Sequence, residues 1–403
     1  MIPRRRLTIR GRDVPQWLYS TLFSTLENDA RDAAAFEATF RDYLGCSFAR
    51  ATCSGRDALQ LALDALGVRP GDELIVPAYT LGELVTLLKS KGYVPVAADI
   101  EPDTFNMDLR SIEAHLTPRT RAIVALHLHG APCDIEAICE LARRHDIRVV
   151  EDCAHAMGAA VGERKVGTFG DASFFSLESN KALATYGGGV VVVKDRQAAE
   201  RVTAALSGRR RSKWPALKKA LSHWKEELAI RSPLYGPLAR LAFSPRFAAA
   251  FERSYRRSQQ RQRSSSVAYS GFQARVGLKA LAELDDRNAR LNRLWQRLAD
   301  RLPEGLAAQV RDRIGQPAFY NFVARSHRIA PAELRRQLFR RGVDIGIGNE
   351  VMNDCAKLLG AEDCPVVAAV FKDAVILPLY DGLSRRRFDR LVRALHQVSA
   401  GGP

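Results

Sequence analysis

Residues 149–155 read Val149-Val-Glu-Asp-Cys-Ala-His155, an apolar run that ends in an acid at Asp152. A second stretch, Ser176-Leu-Glu-Ser-Asn-Lys181, leads into the glycine run Gly187-Gly-Gly189. We interpret each as the end of a strand, so that a carboxylate closes one strand and a lysine follows a later one. Pyridoxal phosphate chemistry requires such a pair, because the lysine amine forms a Schiff base with the cofactor aldehyde and the carboxylate keeps the pyridine nitrogen protonated.

Outward from these two stretches, short β-branched runs alternate with helical segments between about residues 30 and 200. This alternation predicts an α/β fold with a mostly parallel sheet covered on both faces. Ligands bind at the carboxyl ends of the strands in such sheets, where Asp152 and Ser176 fall. The predicted strands are 73–76, 94–97, 122–126, 147–150, 172–175 and 190–193, and the predicted helices are 36–44, 57–66, 81–91 and 135–145.

Three regions follow from the pattern. Residues 1–204 are predicted to form a large cofactor-binding domain. Residues 205–265, rich in arginine and aromatic residues, are predicted to be a basic amphipathic helical insertion that ends in a polar linker. Residues 266–403 are predicted to form one long helix, within 270–302, and a small C-terminal α+β domain with strands at 320–324 and 374–377 and helices at 331–342 and 385–398.

Composition is that of a soluble globular protein, with 46% hydrophobic and 26% charged residues. No apolar run approaches the roughly 20 residues of a membrane helix, and seven scattered cysteines without a CxxC pair favour reduced thiols over disulfides or a zinc site. We expect a cytoplasmic protein without a metal. The net charge of +16 is not accompanied by a nucleic-acid recognition motif, so no nucleic-acid partner is expected.

The turn Thr52-Cys-Ser-Gly-Arg-Asp-Ala58 opens a predicted helix with small residues. Its free N–H groups at Ser54, Gly55 and Arg56 could bind a phosphate, and the Ser176 hydroxyl could donate to the same group. The alternative is structural, since Ser and Gly cap many helices and a hydroxyl at a strand end is common.

Asp152 and His155 could each have either a cofactor-binding role or a structural role. A carboxylate that closes an apolar strand is costly without a partner, and a protonated pyridine nitrogen would be one. The alternative is a cap for the helix that follows. His155 could meet the cofactor ring or its phenolic oxygen, or it could be a satisfied structural histidine.

Several motifs together resemble those of the DegT/DnrJ/EryC1/StrS family of pyridoxal phosphate-dependent aminotransferases, over nearly the whole chain except 205–265. The segments that carry the resemblance are 51–63, 70–80, 99–108, His127-Leu-His-Gly130, 150–159, 165–171 and 377–384.

The resemblance implies the type I aminotransferase fold, in which a large α/β domain is followed by a small α+β domain. It implies a homodimer with shared active sites. It further implies amino transfer from an amino acid, most often glutamate, to a keto sugar or related ketone. By resemblance Lys181 is the Schiff-base lysine, Asp152 the pyridinium partner and His155 the residue beside the ring oxygen. Leu81 stands where the family often has an aromatic residue stacked on the ring.

Two further hypotheses remain beside this one. The insertion at 205–265 could lie on an anionic membrane at the inner face of the membrane, so that the enzyme would act on a lipid-linked or non-nucleotide acceptor. A helical cover over the active site or dimer surface is the alternative role for that insertion. The chain could also be a catalytically silent, cofactor-binding regulator, although retention of Lys181, Asp152 and His155 argues against it.

Overall fold

The computed structural model describes residues 1–6, 26–231 and 267–401. A seven-stranded sheet lies at the centre of the first half of the chain, in the order β1-β10-β9-β6-β5-β2-β4. The strands up to residue 268 are β1 (Ala49–Thr52), β2 (Glu73–Pro77), β3 (Tyr79–Thr80), β4 (Val94–Ala98), β5 (Thr120–Leu126), β6 (Arg148–Asp152), β7 (Ala160–Val161), β8 (Arg164–Lys165), β9 (Ala172–Ser176), β10 (Gly189–Val193), β11 (Arg210–Arg211) and β12 (Val267–Ala268).

The large sheet is mostly parallel, as predicted. Strands β4, β2, β5, β6 and β9 run parallel, whereas β10 is antiparallel to both of its neighbours, β9 and β1. The predicted strand ends are confirmed, because β6 finishes at Asp152 and β9 at Ser176. Since these two strands are parallel neighbours, their carboxyl ends meet at one edge of the sheet.

Helices cover both faces of this sheet. They are α1 (Leu26–Leu44), α2 (Gly55–Ala65), α3 (Gly82–Ser90), α4 (Leu109–Ala114), α5 (Ile135–Arg144) and α6 (Arg196–Leu206), whereas α7 (Trp214–Arg231) packs against Tyr186 and Phe272. Successive side chains of β6 point to opposite faces of the sheet and so enter different cores. Val149 packs with residues of α5, and Val150 packs with residues of α2. The continuous apolar character of the predicted strands follows from this burial on both faces.

A second, antiparallel sheet of order β13-β14-β17-β15 forms the C-terminal part. Its elements and the helices around it are α8 (Gly271–Ala282), α9 (Leu284–Ala299), β13 (Leu306–Ala308), β14 (Phe322–Ser326), α10 (Pro331–Arg340), β15 (Gly346–Ile347), β16 (Asn353–Asp354), α11 (Cys355–Leu359), α12 (Pro365–Asp373), β17 (Ala374–Leu377) and α13 (Arg385–Ser399). The short ribbon of β3 and β16 ties this part to the large sheet.

The prediction of one long helix within 270–302 is wrong, because α8 and α9 are separate helices that meet at Glu283. Their buried faces differ. Phe36 of α1 lies against Gly277 of α8, in the core beside the large sheet. Leu291 and Trp295 of α9 pack in the core of the C-terminal sheet. Leu284 at the start of α9 still lies in the first of these cores, so α9 runs from one core into the other.

The predicted insertion begins with β11 and α7, and β11 pairs in parallel with β12, which follows residue 266. Residues 232–266, which include the predicted polar linker, lie outside the described residues. Among the helices that the structure does describe, none is both long enough and apolar enough to cross a bilayer.

Candidate active site

Asp152 and Lys181 face one buried site beyond the carboxyl ends of β6 and β9. Asp152 is 5% exposed and Lys181 is 6% exposed. Burial raises the pKa of the Asp152 carboxyl to about 6, while the N–H of Ala154, which donates to Oδ1 at 2.9 Å, and the charge of Lys181 oppose the rise. The structure thus brings the predicted carboxylate and lysine together, and burial outweighs these two contributions at Asp152.

Three aromatic rings are stacked beside Lys181. The His155 and Tyr320 rings have centroids 3.9 Å apart and planes 13° apart, and the His129 ring is nearly parallel to both, with its centroid 5.6 Å from that of His155 and 6.3 Å from that of Tyr320. The Tyr320 hydroxyl lies 3.3 Å from Lys181 Nζ and accepts a hydrogen bond of 3.0 Å from Asn180 Nδ2. His155 therefore belongs to a cluster of near-parallel rings beside Lys181, and its predicted contact with the cofactor ring or ring oxygen stays a prediction.

Both histidines of the stack are held neutral. Burial, followed by the charge of Lys181, lowers the pKa of His129 to about 3 and the pKa of His155 well below its usual value. Among the described residues, neither ring nitrogen of His129, nor Nδ1 of His155, has a hydrogen-bond partner. His129 also adopts a left-handed backbone, with φ of 54°. Such unpaired, strained groups are costly and cluster at functional sites.

The predicted phosphate turn lies against the second strand end. Ser54 caps α2, and its side chain accepts the Asp57 N–H at 3.1 Å, so the structural role is present. A Cβ atom on Gly55 would lie 3.0 Å from Ser176 Cβ, and one on Gly189 would lie 2.6 Å from the Ser54 carbonyl. Glycine at both positions therefore brings the N-terminus of α2 to the Ser176 hydroxyl. Arg56 lies in the first turn of this helix.

Glu151, the neighbour of Asp152, is fully buried and fixes the loop after β8. Its carboxylate accepts the backbone N–H groups of Gly167, Phe169 and Gly170, each at 2.7 Å. His127 Nε2 lies 3.1 Å from the same carboxylate. Burial alone would raise the pKa of Glu151, but His127 and the N–H groups of this loop hold it below its usual value. Position 151 thus anchors the strand that presents Asp152.

His127, Glu151 and Cys153 also bring potential metal-ligand atoms within 4.8 Å of one another. Hydrogen bonds explain this cluster without an ion. The Cys133 N–H donates to His127 Nδ1 at 3.1 Å, so the ring hydrogen is on Nε2 and donates to Glu151. Burial raises the pKa of the Cys153 thiol to about 12.

Leu81 is placed differently from the other predicted cofactor residues. It stands before α3 and is 43% exposed. A Cβ atom on the adjacent Gly82 would lie 3.2 Å from Leu358, which is also exposed. The predicted role of Leu81 over the cofactor ring stays a prediction.

Sequence reasoning missed Tyr320, His129 and Asn180. Tyr320 was assigned to a strand, but β14 begins at Phe322, so the tyrosine lies just before the strand. Nothing near Tyr320 in the sequence points to Lys181, which is 139 residues away along the chain. His129 lies in a motif that carried the family resemblance, and that motif was the available signal.

Comparison with known proteins agrees with this geometry. A 160-residue segment is 44% identical to GDP-perosamine synthase of Caulobacter vibrioides; it covers 40% of this chain and only 43% of that protein. The spore coat polysaccharide biosynthesis protein SpsC of Bacillus subtilis is 28% identical over 98% of this chain and 96% of its own length. The solved structure of S. venezuelae DesV in complex with a ketimine intermediate superimposes with a TM-score of 0.74 at 27% identity, over 96% of this chain and 94% of DesV.

This structural likeness confirms the predicted fold. The sequence model of one family matches residues 18–227, more than half of the 403 residues. That match includes the strands that end in Asp152 and Ser176, the helix that starts at Gly55, and Lys181. The chain belongs to the DegT/DnrJ/EryC1/StrS aminotransferase family.

Proposed function

We propose that this protein is a pyridoxal phosphate-dependent aminotransferase that moves an amino group from an amino acid, glutamate in the first instance, to a keto sugar or related ketone. The observation that carries the proposal is the convergence of Lys181 and Asp152 in one buried site. The positive charge of Lys181 opposes the rise in the pKa of Asp152 and adds to the fall in the pKa values of His155 and His129. All three side chains therefore lie close enough to Lys181 to feel its charge.

The residues of the site fit this cofactor. A protonated pyridine nitrogen would supply the cationic partner that the buried Asp152 carboxylate needs. The phosphate would lie at the N-terminus of α2, where Ser54, Gly55 and Arg56 meet Ser176 and where the helix dipole favours an anion. Unpaired nitrogen atoms of His155 and His129 remain for a ring oxygen or a substrate hydroxyl.

The bound cofactor would supply an electron sink for the charge that develops at the substrate carbon. The remaining tasks fall to this chain. Lys181 Nζ would serve as the base that takes a proton from the α-carbon of the amino donor and as the acid that gives it back. Tyr320 orients Nζ through its hydroxyl at 3.3 Å. Asp152 holds the proton on the pyridine nitrogen, and burial of both groups excludes water.

The names of the relatives support a sugar acceptor. A perosamine synthase makes an amino sugar, and a spore coat polysaccharide protein acts in polysaccharide synthesis. We propose a keto sugar as acceptor, in a homodimer with shared active sites. The relatives give no support to a lipid-linked acceptor or to a silent regulator.

A single-turnover experiment tests the proposal. The cofactor-loaded protein is mixed with glutamate, glutamine or aspartate without an acceptor, and the keto acid released is quantified. One keto acid for each active site is expected from the true donor. A panel of nucleotide-linked and free keto sugars is then added, and the aminated product is detected by mass spectrometry. Release of no keto acid from any donor would refute the proposal.

Contact of the insertion with an anionic membrane stays a prediction. Trp214, Leu221 and Leu228 are exposed at seven-residue intervals on α7, with exposed Lys218 and Lys225 on the same helix. Flotation with anionic and neutral liposomes at low salt tests it. A protein that stays at the bottom of the gradient with both would contradict it.

A further inference from the structure

The loop that carries Lys181, residues 177–188 between β9 and β10, rests on helix α7 of the insertion. Before the lysine, Lys219 Nζ lies 2.7 and 2.5 Å from the two carboxylate oxygens of Glu178. His223 Nδ1 lies 2.7 Å from the hydroxyl of Ser179. Two consecutive loop residues, three and two positions before Lys181, are therefore held by side chains one helical turn apart on α7.

The same helix holds the loop after the lysine. Tyr186 is 2% exposed and has a left-handed backbone, with φ of 60°. Its ring stacks on His223, with centroids 5.9 Å apart, and on Phe272 of α8, with centroids 5.7 Å apart. A left-handed backbone at a residue other than glycine is strained and persists only where packing imposes it. Packing between α7 and α8 imposes it here.

Charge and burial suit His223 to this position. Burial, followed by the charge of Lys219, lowers the pKa of His223 to about 4. The ring is therefore neutral near pH 7, where it can share one hydrogen with Ser179 and stack on Tyr186 without a desolvated charge. Glu178 faces Lys219, so the loop and the helix present opposite charges to each other.

We propose that Lys219 and His223 are positioning residues, through which the insertion holds the 177–188 loop and sets the place of Lys181. Neither side chain needs to touch substrate or cofactor for this. The catalytic consequence rests on the proposed function, whereas the restraint on the loop does not. The insertion would then belong to the active-site architecture and would not be a separate appendage.

Hydrogen–deuterium exchange of the cofactor-free protein tests the restraint directly. Four loop amides are hydrogen-bonded within the loop and report its opening, those of Leu177, Lys181, Thr185 and Gly187. Loss of a partly exposed ion pair should speed their exchange by about two- to fivefold in Lys219→Ala. Lys219→Arg should restore protection, because arginine keeps the charge that faces Glu178. Lys218→Ala is the matched control, since Lys218 is adjacent and exposed.

A second readout separates positioning from general stability. In the cofactor-loaded protein, Lys219→Ala and His223→Ala should lower kcat more than they raise KM for the donor, and Lys219→Arg should recover kcat. Exchange in 177–188 that matches the Lys218→Ala control would overturn the inference. Exchange that rises equally in β5 and β6 would overturn it too, because the effect would then be general. Failure of the wild-type protein to bind cofactor or release keto acid would instead refute the proposed function, and the exchange result would still stand.

Discussion

The phenol ring of Tyr320 lies parallel to the imidazole of His155, with 3.9 Å between their centroids. His155 follows β6 of the large sheet, and Tyr320 comes just before β14 of the C-terminal sheet. The stack therefore joins the two sheets beside Lys181. Offset or parallel aromatic pairs of this kind contribute about 0.5–1.5 kcal/mol beyond their buried area. The two parts of the molecule are thus held together where the chemistry would take place.

Tyr320 should affect activity through two separable contacts. Tyr320→Phe keeps the ring on His155 but removes the hydroxyl beside Nζ, a loss of about 0.5–1.5 kcal/mol. We expect kcat to fall by about two- to tenfold with the cofactor still bound. Tyr320→Leu removes the stack as well and should cost more. Equal activity of the wild-type, Tyr320→Phe and Tyr320→Leu proteins would show that Tyr320 has only a packing role between the two sheets.

Lys181→Ala should abolish the visible absorbance band that the protein shows when loaded with cofactor. It should also lower turnover by at least about 10²- to 10⁴-fold, the range for a lost general base. An absorbance titration with pyridoxal phosphate and a keto-acid release assay measure the two effects. Lys89→Ala, on the exposed side of α3, is the control and should behave as wild type. A variant at position 181 with an unchanged spectrum would remove the assignment.

Glu151→Gln should destabilise the protein although the side chain keeps its shape. The glutamine side chain would place its NH₂ group against backbone N–H donors of the 167–170 loop, which the carboxylate of Glu151 accepts. The loss of charge would also weaken the contact with His127. Breaking a buried charged network costs about 3–5 kcal/mol, so the denaturant midpoint should fall clearly. Glu140→Gln, whose partner is the exposed Arg143, should leave the denaturant midpoint close to that of the wild type. Similar midpoints for the two variants would contradict the anchoring role of Glu151.

Asp152 should make the cofactor-free protein less stable as pH rises. Its pKa is raised from 3.8 to about 6 in the folded state. A raised acid pKa means that the folded state binds the proton more tightly. The stabilising contribution is therefore complete below about pH 4 and lost as pH rises through about 6. The difference should be about 3 kcal/mol in free energy of unfolding.

Asp152→Asn provides the comparison, because asparagine can still accept the Ala154 N–H but does not titrate. Unfolding of both cofactor-free proteins is measured between pH 4 and 7. His155 and His129 have lowered pKa values and act in the opposite direction, losing stability as pH falls below about 6.5. They are present in both proteins, so the difference between the curves isolates position 152. If the free energies of unfolding of the wild type and Asp152→Asn changed in parallel with pH, the raised pKa of Asp152 would be contradicted.

Local sequence determined the framework of this protein. The apolar runs that end at Asp152 and Ser176 predict parallel strands and the places where they end, because a strand buried on both faces requires a continuous run of β-branched residues. The small residues around Gly55 predict the phosphate-binding turn, and a lysine before Gly187-Gly-Gly189 predicts the cofactor loop. These signals are local, since each depends on residues a few positions apart.

Tertiary structure alone decided what surrounds Lys181. Tyr320, His223 and Lys219 reach the lysine or its loop from 38 to 139 positions away, since packing of α7 and of the C-terminal sheet places them there. Long-range packing leaves no spacing rule in a single chain, so these contacts become visible only in the folded molecule.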